Sequence, residues 1–378
     1  MYKLIKIYRL KFRKVIIFFI FTKEVRFINF YMLENKEISA LFHLIDDPDD
    51  EVFNSVTERI ISHGRAIIPN LENLWENSPD EEVQERIELI IHKLHFRDLV
   101  EEFVEWKNGS CELLHGALLV SKYCYPEMIA TNTLQEIEKI RRNIWLELNS
   151  YLTPLEQVNV ISGILFSYYK LKGNEVSYDL PDDFLLTKVI EGKRGNSITN
   201  GILYLILCEL LDIPAKAINI PRQFILGYFD IDYNFPNPEK MKKDKINFYI
   251  DPLNGQVYSQ KDVDSYFKRI SVPPTPSYYR QMTDKRIIQH LLEEFSKCFI
   301  APSNLYKKND LLFLAKLLDE CEDSLMYLLI LSRYRKPIVV DFSPTKQIRK
   351  DFFQLFISGK NKKKFAQKKY SLHTKNHK

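Results

Sequence analysis

The hydrophobic and polar positions between residues 36 and 95 follow a pattern that occurs twice. In each unit, two leucines precede an acidic turn that begins with proline, and apolar residues then recur at four-residue spacing. The first unit is carried by Leu41, Leu44, Pro48, Val52, Val56 and Ile60, and the second by Leu71, Leu74, Pro79, Val83, Ile87 and Ile91. Proline and acidic side chains suit the first turn of a helix, so each unit predicts two helices. A repeat of about 30 residues with two helices is typical of a solenoid, and we predict a HEAT-like helical block over residues 32–107.

The pattern changes from amphipathic helices to one apolar helix and then to strands between residues 108 and 270. Helical spacing continues to about residue 170, with Pro154 placed to begin one of these helices. Residues 196–211 are apolar nearly all round, which predicts a buried helix. Alternating segments at 215–220, 224–229 and 246–250 predict a small antiparallel sheet. The fold class is therefore expected to be α+β.

A proline-rich connector at residues 273–276 separates this region from further amphipathic helices. Apolar residues at helical spacing over 286–301 and 311–335 predict a C-terminal helical region within residues 277–335.

Composition excludes several classes of function. The 11 glycines never form a glycine-rich phosphate loop, so nucleotide chemistry is not expected. The five cysteines are odd in number and contain no C-x-x-C pair, which argues against a disulfide framework or a zinc ribbon and favours a reducing, cytoplasmic location. His92 and His95 are interpreted as surface residues rather than a metal pair. We expect neither a cofactor nor a metal.

Charge divides the chain into basic ends and an acidic body. Residues 1–31 carry a net charge of +7 and residues 342–378 a net charge of +10, so the overall +4 leaves −13 for the rest. We expect residues 1–31 to be a basic extension that is either spurious, because translation starts at Met32, or disordered. A membrane anchor is the alternative. The basic tail, residues 342–378, is expected to be solvated, with nucleic-acid or anionic-membrane contact as the alternative.

The segment from residue 183 to residue 255 resembles the transglutaminase-like, papain-related fold, and in particular its SirB-type branch. Gly195-Asn-Ser197 opens the predicted buried helix and Asp212-Ile-Pro214 closes it, in the places of the family's G-x-C and Gly-Ile-Pro. The resemblance places Ser197 at the nucleophile position, Gln223 at the position of the catalytic histidine and Asp251 at the position of the third residue. It covers roughly residues 36–335, with specific motifs only between 183 and 255.

This set of residues lacks a base. The amide of Gln223 cannot accept and return a proton near pH 7, and no histidine lies between His115 and His290 to replace it. General-base assistance typically contributes about 10²–10⁴-fold to a rate, so the triad positions are degenerate. Ser197 is expected to be a helix N-cap rather than a nucleophile, and Gln223 to form a hydrogen bond within a residual cleft. Asp251 is equally well explained as a turn former or as a hydrogen-bond partner of Gln223.

These observations predict a non-catalytic transglutaminase-like protein that acts as a protein-binding or regulatory scaffold, with a partner that the sequence does not identify. The alternative is a weak amide or ester hydrolase with Ser197 as nucleophile and Asp251 or water as base. A third hypothesis is association with nucleic acid or membrane through the basic tail.

Overall fold

The computed structural model describes residues 36–229 and 246–319. The predicted extension at residues 1–31, the tail at 342–378 and residues 320–335 of the predicted C-terminal helices lie outside the described residues.

Four helices form the N-terminal part of the described chain: α1 (Lys36–His43), α2 (Asp50–Ser62), α3 (Ile68–Asn77) and α4 (Glu81–Asn108). Both acidic turns act as N-caps, because Asp49 accepts a hydrogen bond from Glu51 N at 2.8 Å and Asp80 accepts one from Glu82 N at 2.9 Å. The order of helix, acidic turn and helix thus occurs twice, as the repeat predicts. The HEAT-like assignment itself stays a prediction.

Helix α4 is longer than the repeat pattern predicts, and its two halves contact different parts of the molecule. The first half shares a core with α1–α3, in which Ile60, Leu71 and Leu94 are buried. The second half packs on α5 (Leu113–Cys124), where Trp106 lies against Gly116. The two regions are therefore joined through one continuous helix.

The next helices are α6 (Thr131–Glu147) and α7 (Pro154–Ser162), and α7 continues as a π-helical segment, Gly163–Tyr168. Pro154 begins α7, as predicted, after a capping box between Thr153 and Glu156. The short strand β1 (Lys172–Asn174) follows. Helix α8 (Leu186–Gly192) leads to β2 (Arg194–Asn196), which pairs in parallel with β1. The sequence pattern predicts neither of these two strands.

Helix α9 (Ser197–Leu210) is the buried central helix that the sequence predicts. Every residue from Ile198 to Cys208 is buried, which places Cys208 in the core as expected.

The sheet has the order β3-β4-β5-β6, and all its neighbours are antiparallel. Its strands are β3 (Ala215–Ile218), β4 (Ile225–Phe229), β5 (Ile246–Ile250) and β6 (Val257–Tyr258). Strand β3 ends two residues earlier than predicted, and β6 was not predicted. Helix α10 (Gln260–Arg269) covers one face of the sheet through Val263 and Phe267. The predicted α+β class is confirmed.

Helices α11 (Asp284–Phe295) and α12 (Leu305–Leu317) pack on each other and on the preceding helices. A hydrogen bond fixes α12 to α4, since Nε2 of the half-buried His92 lies 2.7 Å from Oδ2 of the buried Asp310. The interpretation of His92 as a surface residue is therefore wrong. Within residues 36–229 and 246–319, none of the helices combines the length and apolar character needed to cross a membrane.

Candidate functional site

The N-terminus of α9 carries the first predicted site residue. Asn196, not Ser197, is the N-cap, because its Oδ1 accepts hydrogen bonds from Ile198 N and Thr199 N at 3.0 Å each. The prediction that Ser197 caps the helix is thus wrong. Ser197 is the first helical residue, it is half-buried, and among the described residues its hydroxyl forms no hydrogen bond. Its side chain therefore has no capping role.

The segments that carry the three predicted positions meet at Gly201, which lies one helical turn after Ser197. A Cβ atom added to Gly201 would lie 2.5 Å from Cε1 of Phe224 and 3.3 Å from Cβ of Pro252. Phe224 directly follows Gln223, and Pro252 directly follows Asp251. Residues four apart share one face of a helix, so the face that carries Ser197 contacts both neighbouring segments. We call the part of the fold that carries Ser197, Gln223, Phe224 and Asp251 the triad region.

Asp251 is engaged by its own turn. Its Oδ1 accepts a hydrogen bond from Leu253 N at 2.8 Å, and Gly255 N donates to Asp251 O at 2.8 Å. Gly255 adopts a left-handed conformation with φ of 76°, which closes this turn at no steric cost. Burial and the neighbouring Asp251 carboxylate raise the pKa of Tyr258, whose hydroxyl donates to Gln256 Oε1 at 3.3 Å. The turn-former explanation is therefore the one that the geometry supports, and no bond to Gln223 is formed.

Gln223 is exposed, and a backbone hydrogen bond positions it. Its N–H donates to Ile220 O at 3.3 Å, and the preceding Arg222 is left-handed with φ of 63°. Across the described ranges, the Gln223 amide group has no hydrogen-bond partner, so the predicted hydrogen bond within the cleft is not formed. A strained residue beside an exposed amide is unusual and marks this loop as constrained.

A close backbone contact holds the Asp251 turn against β1. A Cβ atom on Gly173 would collide with the backbone of Leu253, so only glycine permits this approach. On the other side of β1 and β2, Asp183 accepts hydrogen bonds from Arg194 at 3.2 Å and from Asn174 at 3.4 Å. These contacts fix the entrance of α9 relative to the turn.

Sequence reasoning missed His290, which α11 brings to the ring of Phe224 in the triad region. The rings of Phe224 and His290 are nearly parallel, with an interplanar angle of 4° and 6.0 Å between their centroids. Burial lowers the pKa of this histidine below 6.5. The two residues are 66 positions apart in the sequence, and the only available signal was that His290 flanks the apolar stripe of α11 formed by Ile287, Ile288, Leu291 and Leu292.

Three of the described cysteines, Cys124, Cys208 and Cys298, do not supply a substitute nucleophile. Burial raises the pKa of Cys124 and of Cys298 to about 12, and it raises that of Cys208 as well. A thiol is nucleophilic as its thiolate, so these three groups are inert near neutral pH. Within the described residues, no cluster of histidine, cysteine and carboxylate side chains could hold a metal ion.

Comparison with known proteins agrees with this arrangement. A family model described as the transglutaminase-like superfamily matches residues 131–293, from the start of α6 nearly to the end of α11. UPF0162 protein YchA of Escherichia coli K12 is 20% identical over 197 residues, which are 51% of this chain and 69% of YchA. Protein SirB1 of Salmonella typhimurium is 18% identical over 198 residues, with the same two shares. No solved structure matches the chain at a significant level. Residues 131–293 thus match the transglutaminase-like superfamily, and about half of the chain is similar to the SirB1 and YchA proteins.

Proposed function

We propose that this chain is a non-catalytic member of its family and serves as a protein-binding or regulatory scaffold. The observation that carries the proposal is that Gln223 is an exposed, neutral amide. It occupies the position that the family resemblance assigns to the catalytic histidine. A serine hydroxyl is a weak nucleophile unless a neighbouring base removes its proton. Gln223 cannot do so, and the Ser197 hydroxyl has no hydrogen bond to any other described group.

The state of Asp251 supports the same proposal. In a working triad, the acidic residue orients the base and stabilises its charged form. Here the carboxylate accepts a hydrogen bond from Leu253 N instead. The side chain therefore stabilises the local turn, and we infer no part for it in proton transfer.

One observation favours a second candidate, a weak amide or ester hydrolase. His290 brings an imidazole to the ring of Phe224, next to the segment where the family's histidine would lie. A base within one water molecule of the Ser197 hydroxyl would permit slow acyl transfer. Because His290 and Ser197 form no hydrogen bond with each other, the binding function is preferred.

The scaffold proposal is tested by affinity capture of the tagged full-length chain from its native lysate at low and at high salt. We expect a stoichiometric protein partner that remains bound at high salt, since a packed interface is screened far less than exposed charges. The same capture is repeated with a variant that lacks residues 342–378. Partners that are lost at high salt and absent from the truncated variant would contradict the scaffold proposal and favour contact through the basic tail.

A further inference from the structure

The turn between α6 and α7 carries an exposed apolar surface. Four large side chains are exposed there, namely Trp145 by 46%, Leu146 by 68%, Tyr151 by 93% and Leu155 by 46%. Single exposed apolar residues are normal on a protein surface, whereas a cluster of them marks an interaction site. We call these four side chains the turn patch. None of them belongs to the triad region.

Hydrogen bonds hold the backbone of the turn patch in one conformation. Asn149 Oδ1 accepts a hydrogen bond from Tyr151 N at 3.0 Å, and Gln157 Nε2 donates to Leu152 O at 3.3 Å. The capping box at the start of α7 closes the turn. Because this backbone is already ordered, little conformational entropy is lost when a partner packs on the patch.

The area of the turn patch fits an interface between two copies of the chain. A whole aromatic side chain has about 150–250 Å² of surface, so the exposed fractions of the four residues amount to roughly 500 Å² per copy. Two copies that pack patch against patch would bury about 1,000 Å², which is the lower limit for a specific interface. A two-fold dimer uses the same surface on both copies, so it needs no contribution from another part of the molecule.

The distribution of charge also fits a second copy. Residues 148–155 contain no charged side chain, so two copies do not repel each other there. The exposed charges that flank the patch are of both signs, with Arg142 on α6 and Glu147 and Glu156 at the two ends of the turn. An apolar centre with a polar rim is the usual anatomy of a protein interface. A strongly acidic or basic partner would find no opposite charge at the centre of this surface.

We propose that the chain forms a two-fold symmetric dimer in which the turn patches of two copies pack against each other. Trp145 and Tyr151 are its anchors, since tryptophan and tyrosine are frequent among the residues that dominate binding. The inference goes beyond the proposed function, because this dimer forms whether or not the chain also binds another protein.

The test is sedimentation velocity of the full-length protein. The concentration is varied over about a hundredfold range up to about 100 µM, because dimerisation follows mass action. Each series is run at about 0.15 M and at about 1 M NaCl, since apolar contacts are not screened by salt. We expect a reversible equilibrium between monomer and dimer that the higher salt concentration does not weaken.

Two variants make the result specific. The double variant Leu146→Ser/Tyr151→Ser removes two side chains that are exposed in the monomer, so its circular dichroism should match that of the wild type. Its dimer dissociation constant should rise by at least about tenfold. Ile129→Ser is the matched control, because Ile129 is 62% exposed and lies just before the start of α6, at the opposite end of that helix from Leu146. This control should dimerise as the wild type does.

Three results would overturn the inference: a wild-type protein that stays monomeric at the highest concentration, equal dissociation constants in the wild type and the double variant, or a dimer that disappears when residues 342–378 are deleted. The first result is read without any substitution, so a poorly folded variant does not decide the outcome, and it would assign the turn patch to a different protein. Failure of the proposed function has a separate signature, which is Ser197-dependent turnover of an ester.

Discussion

The contact between Gly201 and Phe224 gives a quantitative test of the site geometry. Replacing Gly201 by alanine would place a methyl group 2.5 Å from Cε1 and 2.8 Å from Cδ1 of the buried Phe224 ring. Overpacking of this kind costs about 1–3 kcal/mol. Alanine also favours a helix over glycine by about 1 kcal/mol, which offsets part of the cost. The net expectation for Gly201→Ala is a loss of roughly 0–2 kcal/mol in the free energy of unfolding.

A matched control removes the contribution of helix propensity. Gly192 ends α8 and has no atom within 4 Å of an added Cβ, so Gly192→Ala should be neutral or stabilising by up to about 1 kcal/mol. The two substitutions should therefore differ by about 1–3 kcal/mol in urea denaturation.

A double-mutant cycle then assigns the difference to one contact. In a Phe224→Leu background the ring is absent, and the cost of Gly201→Ala should fall by at least about 1 kcal/mol. Equal costs in both backgrounds would refute the placement of Phe224 on α9, and with it the meeting at Gly201 of the segments that carry the three predicted positions.

Three further predictions concern other buried groups. Burial raises the pKa of Asp284 from 3.8 to about 6, so between these pH values the folded state holds a proton that the unfolded chain has lost. Asp284→Asn should therefore stabilise the protein by about 2–3 kcal/mol at pH 7 and by nothing below pH 4, as measured by denaturation across pH. Asp310→Ala removes the partner of His92 and should lower the free energy of unfolding by about 1–3 kcal/mol. A loss below about 0.5 kcal/mol, the scale of an exposed pair, would contradict a buried contact between Asp310 and His92. Gly116→Ala would place a methyl group 2.6 Å from Cζ2 of Trp106 and should cost about 1–3 kcal/mol in thermal or urea unfolding, whereas a gain in stability would be inconsistent with that contact.

Local sequence signals predicted the elements with a clear hydrophobic pattern of their own. Helix α9 could be predicted because the stretch from Ile202 to Cys208 is continuously apolar. Strand β5 was predicted with its observed ends, 246–250, because it is bounded by a clear turn. The starts of α2 and α4 were indicated by the two acidic turns, but Pro48 and Pro79 precede the N-caps Asp49 and Asp80 and do not lie in the first helical turn as predicted.

Features that depend on distant contacts could not be predicted in the same way. Strands β1 and β2 have three residues each and pair with one another across 22 positions, so neither has a periodic pattern of its own. The N-cap could have been assigned to Asn196 or to Ser197, since both side chains are good caps, and only the structure decides in favour of Asn196. His290 reaches Phe224 through the packing of α11, which no local signal reveals.

The most direct test of the central claim is acyl transfer at Ser197. The full-length wild-type protein and its Ser197→Ala variant are incubated with p-nitrophenyl acetate, release of nitrophenolate is followed by absorbance, and acetylation of residue 197 is sought by mass spectrometry. The account predicts identical background rates for the two proteins and an unmodified Ser197, because neither Gln223 nor Asp251 can serve as its base. A rate that exceeds background in the wild type and is lost in Ser197→Ala, with acetyl-Ser197 detected, would contradict the non-catalytic account.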